Sequence, residues 1–331
     1  MTPDTFLQNF DLLAESPGGV PKLRELILQL AVRGKLVPQE EKASKGKRCR
    51  EGVKEEEGLA GPYALPPGWR WTTVDTVATE LAPGQACSRA HQINGGVVHL
   101  RTHNISTAGR LNFDLLIQVQ DDKLDPHRVG LRNGDLLFNN TNSQELVGKT
   151  AFVDRDYPYA FSNHLTRMRF TDACDPRFLV LVFRHQWVTG VFAGLCNRWI
   201  GQAGINTRML KTLELPLPPL SEQKRIVARV DELMKRCDEL EAWQKERAAQ
   251  HTALVSACFH SLTISSSRAP EPLTPDTFNL LLTSPESVAE LRKTILQLAV
   301  QGRLVKQEEA REGKKSGGGT TGFCALPTGW R

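Results

Sequence analysis

Apolar side chains return every three or four positions over residues 20–34: Val20, Leu23, Leu26 with Ile27, then Leu30 with Ala31, followed by Gly34. That spacing places them on one face of an α-helix, and a glycine past the last turn is a stop signal. Gln39–Gly58 has no such period. Its six basic and six acidic residues predict an exposed linker, and Gln307–Gly319 has the same texture. From Trp69 to Leu215 short apolar runs alternate with Gly, Asn and Asp: VVHLRTHNI, LLIQV, GDLLF, KTAFV and LTRMRF. These predict a mixed domain of short strands. Within it, Phe178–Gly190 (FLVLVFRHQWVTG) reads as a buried helix started by Asp175-Pro176.

Pro216, Pro218 and Pro219 close that domain, and Ser221 is read as the N-cap of a long helix with Glu222 and Gln223 in its first turn. Ile226, Val230, Leu233, Cys237, Leu240 and Trp243 then recur at close to heptad period. The stripe weakens over Gln244–Gln250 and resumes at His251, Leu254 and Cys258. A helix of this extent spans about 57 Å at 1.5 Å per residue, and its stripe needs a second helix for cover. Glu286–Gly302 supplies one in cis, with Ser265–Pro272 as the turn between them. The N-terminal helix is expected to fold back onto the same stem.

The chain also begins a second copy of itself. TPDTF at 2–6 returns at 274–278, and LRELILQLAVRGKLV at 23–37 returns as LRKTILQLAVQGRLV at 291–305, identical at 11 of 15 positions. ALPPGWR at 64–70 returns as ALPTGWR at 325–331. The separations drift from 272 to 268 to 261 residues, too long for a solenoid repeat. They predict a tandem duplication of about 270 residues, of which this chain holds one unit and the opening of the next. Because helix 20–34 is equivalent to helix 286–303, both copies are expected to suit the same groove on the long helix.

Composition narrows the class without naming a chemistry. Hydrophobic content of 40% and charged content of 24% are those of an ordinary globular protein. No run of 18 apolar residues and no basic-then-apolar N-terminus is present, so neither a membrane span nor a signal peptide is read. Seven scattered cysteines without a CxxC pair fit reduced thiols in a cytoplasm. The net charge of +5 permits a polyanionic partner. Trp71–Leu215 carries 15 basic and 13 acidic residues, too mild a balance for binding nucleic acid through phosphates alone.

No catalytic constellation stands out. Gly148-Lys149-Thr150 resembles the end of a phosphate loop, but Ser143 stands where that motif has glycine. His99 and His103 are four apart on a segment read as strand and turn, which breaks a helical metal geometry. Neither an Asn-Pro-Pro-aromatic or Asp-Pro-Pro-aromatic tetrad of amino-methyltransferases nor a carboxylate-pair-and-lysine nuclease core is found. The most suggestive feature is Asn139-Asn140-Thr141-Asn142-Ser143. Asn pairs bidentately with an adenine edge, and Asn, Thr and Ser donate to phosphates. An ordinary turn has the same composition, so that reading stays open. Arg101, Asn104, Lys149, His164 and Asn206 are further candidate DNA contacts. Arg167, Arg169, Arg198 and Arg208 are either phosphate or guanine contacts or plain surface charge.

In this order the motifs resemble the specificity (S) subunit of type I restriction–modification systems. Leu215–Ala242 (LPLPPLSEQKRIVARVDELMKRCDELEA) carries the strongest likeness. AVQGRLV at 299–305 with its copy at 31–37, LPPGW at 65–69, and the landmarks HLRTHNI, GDLLFNN, LVGKTAFV and AGIN add to it. The resemblance implies an α+β chain: a strand-rich mixed target-recognition domain plus a long-helix, antiparallel coiled-coil-like conserved region. The expected parts are an N-terminal helical segment (1–38), a linker (39–60), the recognition domain (61–220), the helical region (221–306) and the opening of a second recognition domain (307–331).

It further implies a non-catalytic subunit that reads one half of a split site in double-stranded DNA. Ile226, Val230, Leu233, Cys237, Leu240 and Trp243 would form the interface for methyltransferase (M) subunits, which restriction/translocase (R) subunits join. S-adenosylmethionine, ATP and Mg are expected on those partners only. Since family members have two recognition domains, this chain is expected to be truncated or half-length. Two copies pairing as a homodimer would then read a site with inverted identical halves. The alternative is a remnant that binds M subunits without supporting specific DNA binding.

Overall fold

The computed structural model describes residues 3–38, 61–264 and 274–304, and the expected linkers at 39–60 and 307–319 and the copy at 325–331 lie outside them. The chain divides into two compact units, Met1–Asp238 and Glu239–Arg331. The division falls inside the long helix rather than at its foot.

The first unit opens with three helices, α1 (Pro3–Gln8), α2 (Phe10–Glu15) and α3 (Gly19–Val32). Helix α3 is the expected amphipathic one, burying Val20, Leu23, Ile27, Leu30 and Ala31. Gly34 ends it at φ +64°. A side chain there is excluded twice over: the left-handed backbone disfavours it, and a Cβ would lie 2.8 Å from the Trp69 ring and 2.6 Å from Pro66. The LPPGW motif therefore seats itself on the end of α3. Trp69 donates its indole N–H to Glu222 Oε1 at 3.0 Å and meets Phe178 edge-on. Next to Glu222, the buried amide of Gln223 donates to Ala173 O and Pro218 O and accepts from Asp175 N. The two most recognisable sequence motifs are one clasp.

Strand β1 (Arg70–Thr73) leaves this clasp and leads through α4 (Val74–Val77) to β2 (Ala78–Pro83), β3 (Gln92–Leu100) and β4 (Gln118–Val119). Next come β5 (Leu136–Asn139), β6 (Thr141–Asn142), β7 (Thr150–Phe152), β8 (Ala160–Phe161) and β9 (Leu165–Phe170). The central sheet has the order β2-β9-β5-β7 and is antiparallel throughout. β3 pairs antiparallel with β4 and parallel with β8. β5 is buried on both faces, so its alternation separates two packings. Leu137 enters a core with Leu100, Ile105, Leu131 and Phe161. Phe138 meets Phe183 and Phe192 across the other face, at 6.0 and 5.4 Å between rings. Those rings belong to α5 (Pro176–Val188), N-capped by Asp175 as expected, and α6 (Val191–Leu195). Helix α5 also packs against α3. β10 (Asn197–Trp199), β11 (Gln202–Gly204), α7 (Thr207–Lys211) and β12 (Glu214–Leu217) follow, and β12 closes the domain antiparallel to β1.

Helix α8 runs from Leu220 to Ile264. Ser221 lies inside its first turn; the carbonyl of Pro219 accepts from Glu222 N and Gln223 N. Within the first unit α1–α3 do fold back onto α8. Arg236 pairs with Asp11 at 2.7 Å and lies over the Phe10 ring, and Arg24 pairs with Asp238 at 2.6 Å.

In the second unit α9 (Pro275–Leu281) returns along α8, with His251 Nε2 3.2 Å from Leu280 O. Helix α10 (Pro285–Val300) then turns again. Its Glu286–Glu290 lies beside Thr252–Ser256 and Arg303 donates to Thr263 O, so α10 runs in the same direction as α8. Val255, Phe259 and Leu281 form the core here. The apolar stripe resumes through Val255 and Phe259 rather than through Leu254, which is exposed. The two copies of the repeated helix thus sit on different stretches of α8, not in one groove.

Candidate nucleic-acid interface

The ten expected DNA contacts fall into two groups. Arg101, Asn104 and Lys149 meet at Ile105. Asn104 is buried with its amide fully used: its Oδ1 accepts from Arg101 N at 2.8 Å, and its Nδ2 donates to Asn112 O and Leu115 O. Lys149 is only 9% exposed and donates to Ile105 O at 2.6 Å, and burial holds its pKa below the ordinary lysine range. Arg101 is half-buried, with Nε and Nη2 turned inward and unbonded among the described residues. Asn104 and Lys149 therefore staple the 101–105 turn to the domain and present nothing to a groove.

The second group surrounds the Asn-rich segment. Asn139 is 0% exposed, its Nδ2 donating to Leu146 O, so it belongs to the core. Asn140 donates to Asn163 O and Thr166 Oγ1 and accepts from Thr141 Oγ1. Its backbone N–H donates to His164 O at 3.0 Å, and its carbonyl accepts from the N–H of Ile205, the residue before Asn206, at 2.8 Å. Asn206 is exposed, but its Oδ1 caps α7 by accepting from Met209 N. Thr141, Asn142, Ser143 and His164 keep partial exposure and share this edge.

Two of the arginines held as alternatives are internal. Arg167 and Arg169 both bind Glu80, at 2.5 and 2.7 Å, and Arg169 forks onto Asp135 at 2.7 and 3.1 Å. Burial raises the Glu80 pKa, but the two guanidiniums outweigh it and hold the carboxyl below its usual range. This network ties β2 and β9 to the turn before β5 and leaves neither arginine free for phosphate.

What the edge does display is a small antiparallel sheet, β10-β11-β6. Its rows are Arg198–Ala203–Asn142 and Asn197–Gly204–Thr141, with Trp199 opposite Gln202. Directly opposed residues share a face and successive ones alternate. Ala203 and Gly204 are both buried, but Gly204 is covered by the Trp199 ring of its own face, whereas Arg198 turns to the domain and donates to Ala193 O. The other face, carrying Asn197, Trp199, Gln202 and Thr141, points outward. The segment's own charge is one-sided, although two of its cations are paired with acids elsewhere, Arg177 with Asp231 and Lys211 with Asp75. Between Asp175 and Glu214 the chain has no acidic residue and has Arg177, Arg184, Arg198, Arg208 and Lys211. Apart from Arg198, the hairpin is absent from the sequence-based candidates, although that acid-free stretch and the Ile200-Gly201 pair between two short runs are its visible signals.

On the stem, Ile226, Val230, Leu233 and Cys237 are buried within the first unit. Leu240 is half-buried and Trp243 is 73% exposed, so of the expected subunit interface only its far end is available. Among the described residues no group of three His, Cys, Asp or Glu side chains could hold a metal, and no helix is long and apolar enough to cross a membrane.

The family model described as "Type I restriction modification DNA specificity domain" matches residues 117–250, from β4 into the second half of α8. The specificity subunit of the type I restriction enzyme EcoAI of Escherichia coli is 30% identical over 325 residues, covering 88% of this chain and 53% of that protein. The EcoEI specificity subunit of the same species is 26% identical over 347 residues, covering 88% and 52%. The crystal structure of the HsdS subunit from Thermoanaerobacter tengcongensis is similar with a TM-score of 0.46 and 20% identity over 73% of this chain and 51% of that one. The chain spans about half the length of the curated relatives it matches. Residues 117–250 thus match the type I restriction–modification DNA specificity domain, and over most of its length the chain is similar to type I specificity subunits.

Proposed function

We propose that this chain is a non-catalytic DNA-recognition subunit that reads one half of a split site in double-stranded DNA for a type I assembly. The observation that carries this reading is the outward face of β10-β11-β6: amides, a hydroxyl and an indole on an exposed strand pair, with Arg198 and Arg208 in the same stretch. Hydrogen-bonding amides and apolar groups read base edges, and cations position the backbone. Methyltransferase subunits dock on the far part of α8, where Trp243 stands free, and restriction/translocase subunits join through them. S-adenosylmethionine, ATP and Mg belong to those partners.

A second copy of the chain supplies the other half-site. Helix α10 exposes Ile295, Leu296, Val300 and Leu304, whereas their repeat counterparts Ile27, Leu28, Val32 and Leu36 are buried. Covering that strip is what self-association gains.

Co-expression with a type I methyltransferase subunit, followed by genome-wide mapping of methylated adenine, tests the reading. A new methylated split motif supports it. A soluble complex that methylates no new motif overturns it in favour of an interaction-only remnant.

A further inference from the structure

We propose that the β10–β11 hairpin is a base-reading finger for the major groove, with Asn197 and Gln202 as its amide readers and Trp199 and Ile200 as its apolar contacts to thymine methyls. This rests on the DNA-recognition reading above and assigns it to residues outside the Asn-rich segment. The hairpin is short and closed by two residues, Ile200-Gly201. Ile200 is fully exposed and Trp199 is 60% exposed. Neither contributes much burial to the fold, so their apolar surface is free for a ligand.

Trp199 is nevertheless held in place. Its indole lies across the strand pair on Gly204, where a Cβ would come within 2.9 Å of the ring. The missing side chain is what lets the ring lie there, flanked by Asn197 and Gln202 on the same face. Gln and Asn pair bidentately with N6 and N7 of adenine, and apolar groups contact the thymine C5-methyl, so the chemistry selects A·T pairs. A two-stranded ribbon is one of the shapes the major groove admits. Duplex DNA is the occupant because the hairpin pairs directly with the Asn142 strand and sets amides and apolar groups, the chemistry that reads base edges, side by side on one exposed face.

Gln202→Ala, Trp199→Ala and Gly204→Ala separate the roles. The first removes a reader and the second the anchor. In the third the added methyl crowds the far end of an exposed indole at 2.9 Å and meets Asn140 O at 3.4 Å, an ordinary contact, so the fold is kept while the ring is displaced. The full chain, with a type I methyltransferase subunit, is challenged with a random-sequence duplex library, and bound sequences are compared with wild type. The expected result is a wild-type motif containing A·T positions. Gln202→Ala should lose about 5- to 150-fold discrimination at one of them. Trp199→Ala and Gly204→Ala should relax the adjoining position, with unfolding midpoints unchanged. A wild-type motif that all three variants reproduce overturns the finger alone and leaves recognition to the Asn142–His164 edge. A wild type that enriches no motif overturns the underlying reading and the finger with it.

Discussion

His99 shows how one residue's environment sets a measurable property. It is 1% exposed at the end of β3, and its Nε2 lies 3.0 Å from Gln85 O. Burial, with the nearby Arg101 charge adding to it, lowers its pKa, and burial beside Arg33 does the same to His185. Both rings are therefore neutral in the fold at pH values where the unfolded chain already takes up protons. Their stabilisation is fully present above about pH 6.5, the ordinary histidine value, and is lost as pH falls toward the lowered folded values. Denaturant unfolding at pH 8, 6 and 5 should show a falling midpoint, and His99→Gln should flatten that profile. A wild-type midpoint unchanged down to pH 5 would refute the neutral, buried state. At the same scale, residue identity alone does not tell which polar side chains are left available. Asn104, Asn139, Lys149 and Arg167 have the right chemistry for DNA, and their partners inside the fold use it up.

At the scale of elements, α8 does two separate jobs. Its first part carries α1–α3 in one unit, and its second part carries α9 and α10 in the other. The second core is small, with Phe259 its largest buried side chain. Phe259→Ala should cost about 3–5 kcal/mol locally, as removal of a buried phenyl ring does. Hydrogen exchange should then accelerate in 275–300 while β5 and β9 keep wild-type protection, because cooperative opening follows compact units. Equal loss of protection in both units would contradict the division. The elements themselves were largely legible. The period of α3, the Asp175 cap of α5 and the runs that became β5, β7 and β9 are local signals, and the structure agrees to within a few residues.

At the scale of the whole molecule, the proposed homodimer has a direct test. The α10 strip is apolar and exposed, Leu296 and Val300 each at 68%, so charge placed there costs the monomer little. Leu296→Glu with Val300→Glu should convert a dimer to a monomer in light scattering, with the unfolding midpoint unchanged. A wild type monomeric at all concentrations would remove the dimer, and with it the expectation of inverted identical half-sites.

The sequence by itself determined the family likeness, the repeat and the order of helices and strands, because periodicity, caps and motifs act over a few neighbouring residues. The pairing of LPPGW with PPLSEQ, the burial of Asn139 and the neutralisation of Arg167 by Glu80 were decided only in three dimensions. Each depends on contacts across 87 to 153 residues of chain or on which face of a strand meets the core. The same holds for the β10–β11 hairpin. Its residues are unremarkable in a row, and only the pairing of β11 with β6 sets one face of them outward beside the Asn-rich segment.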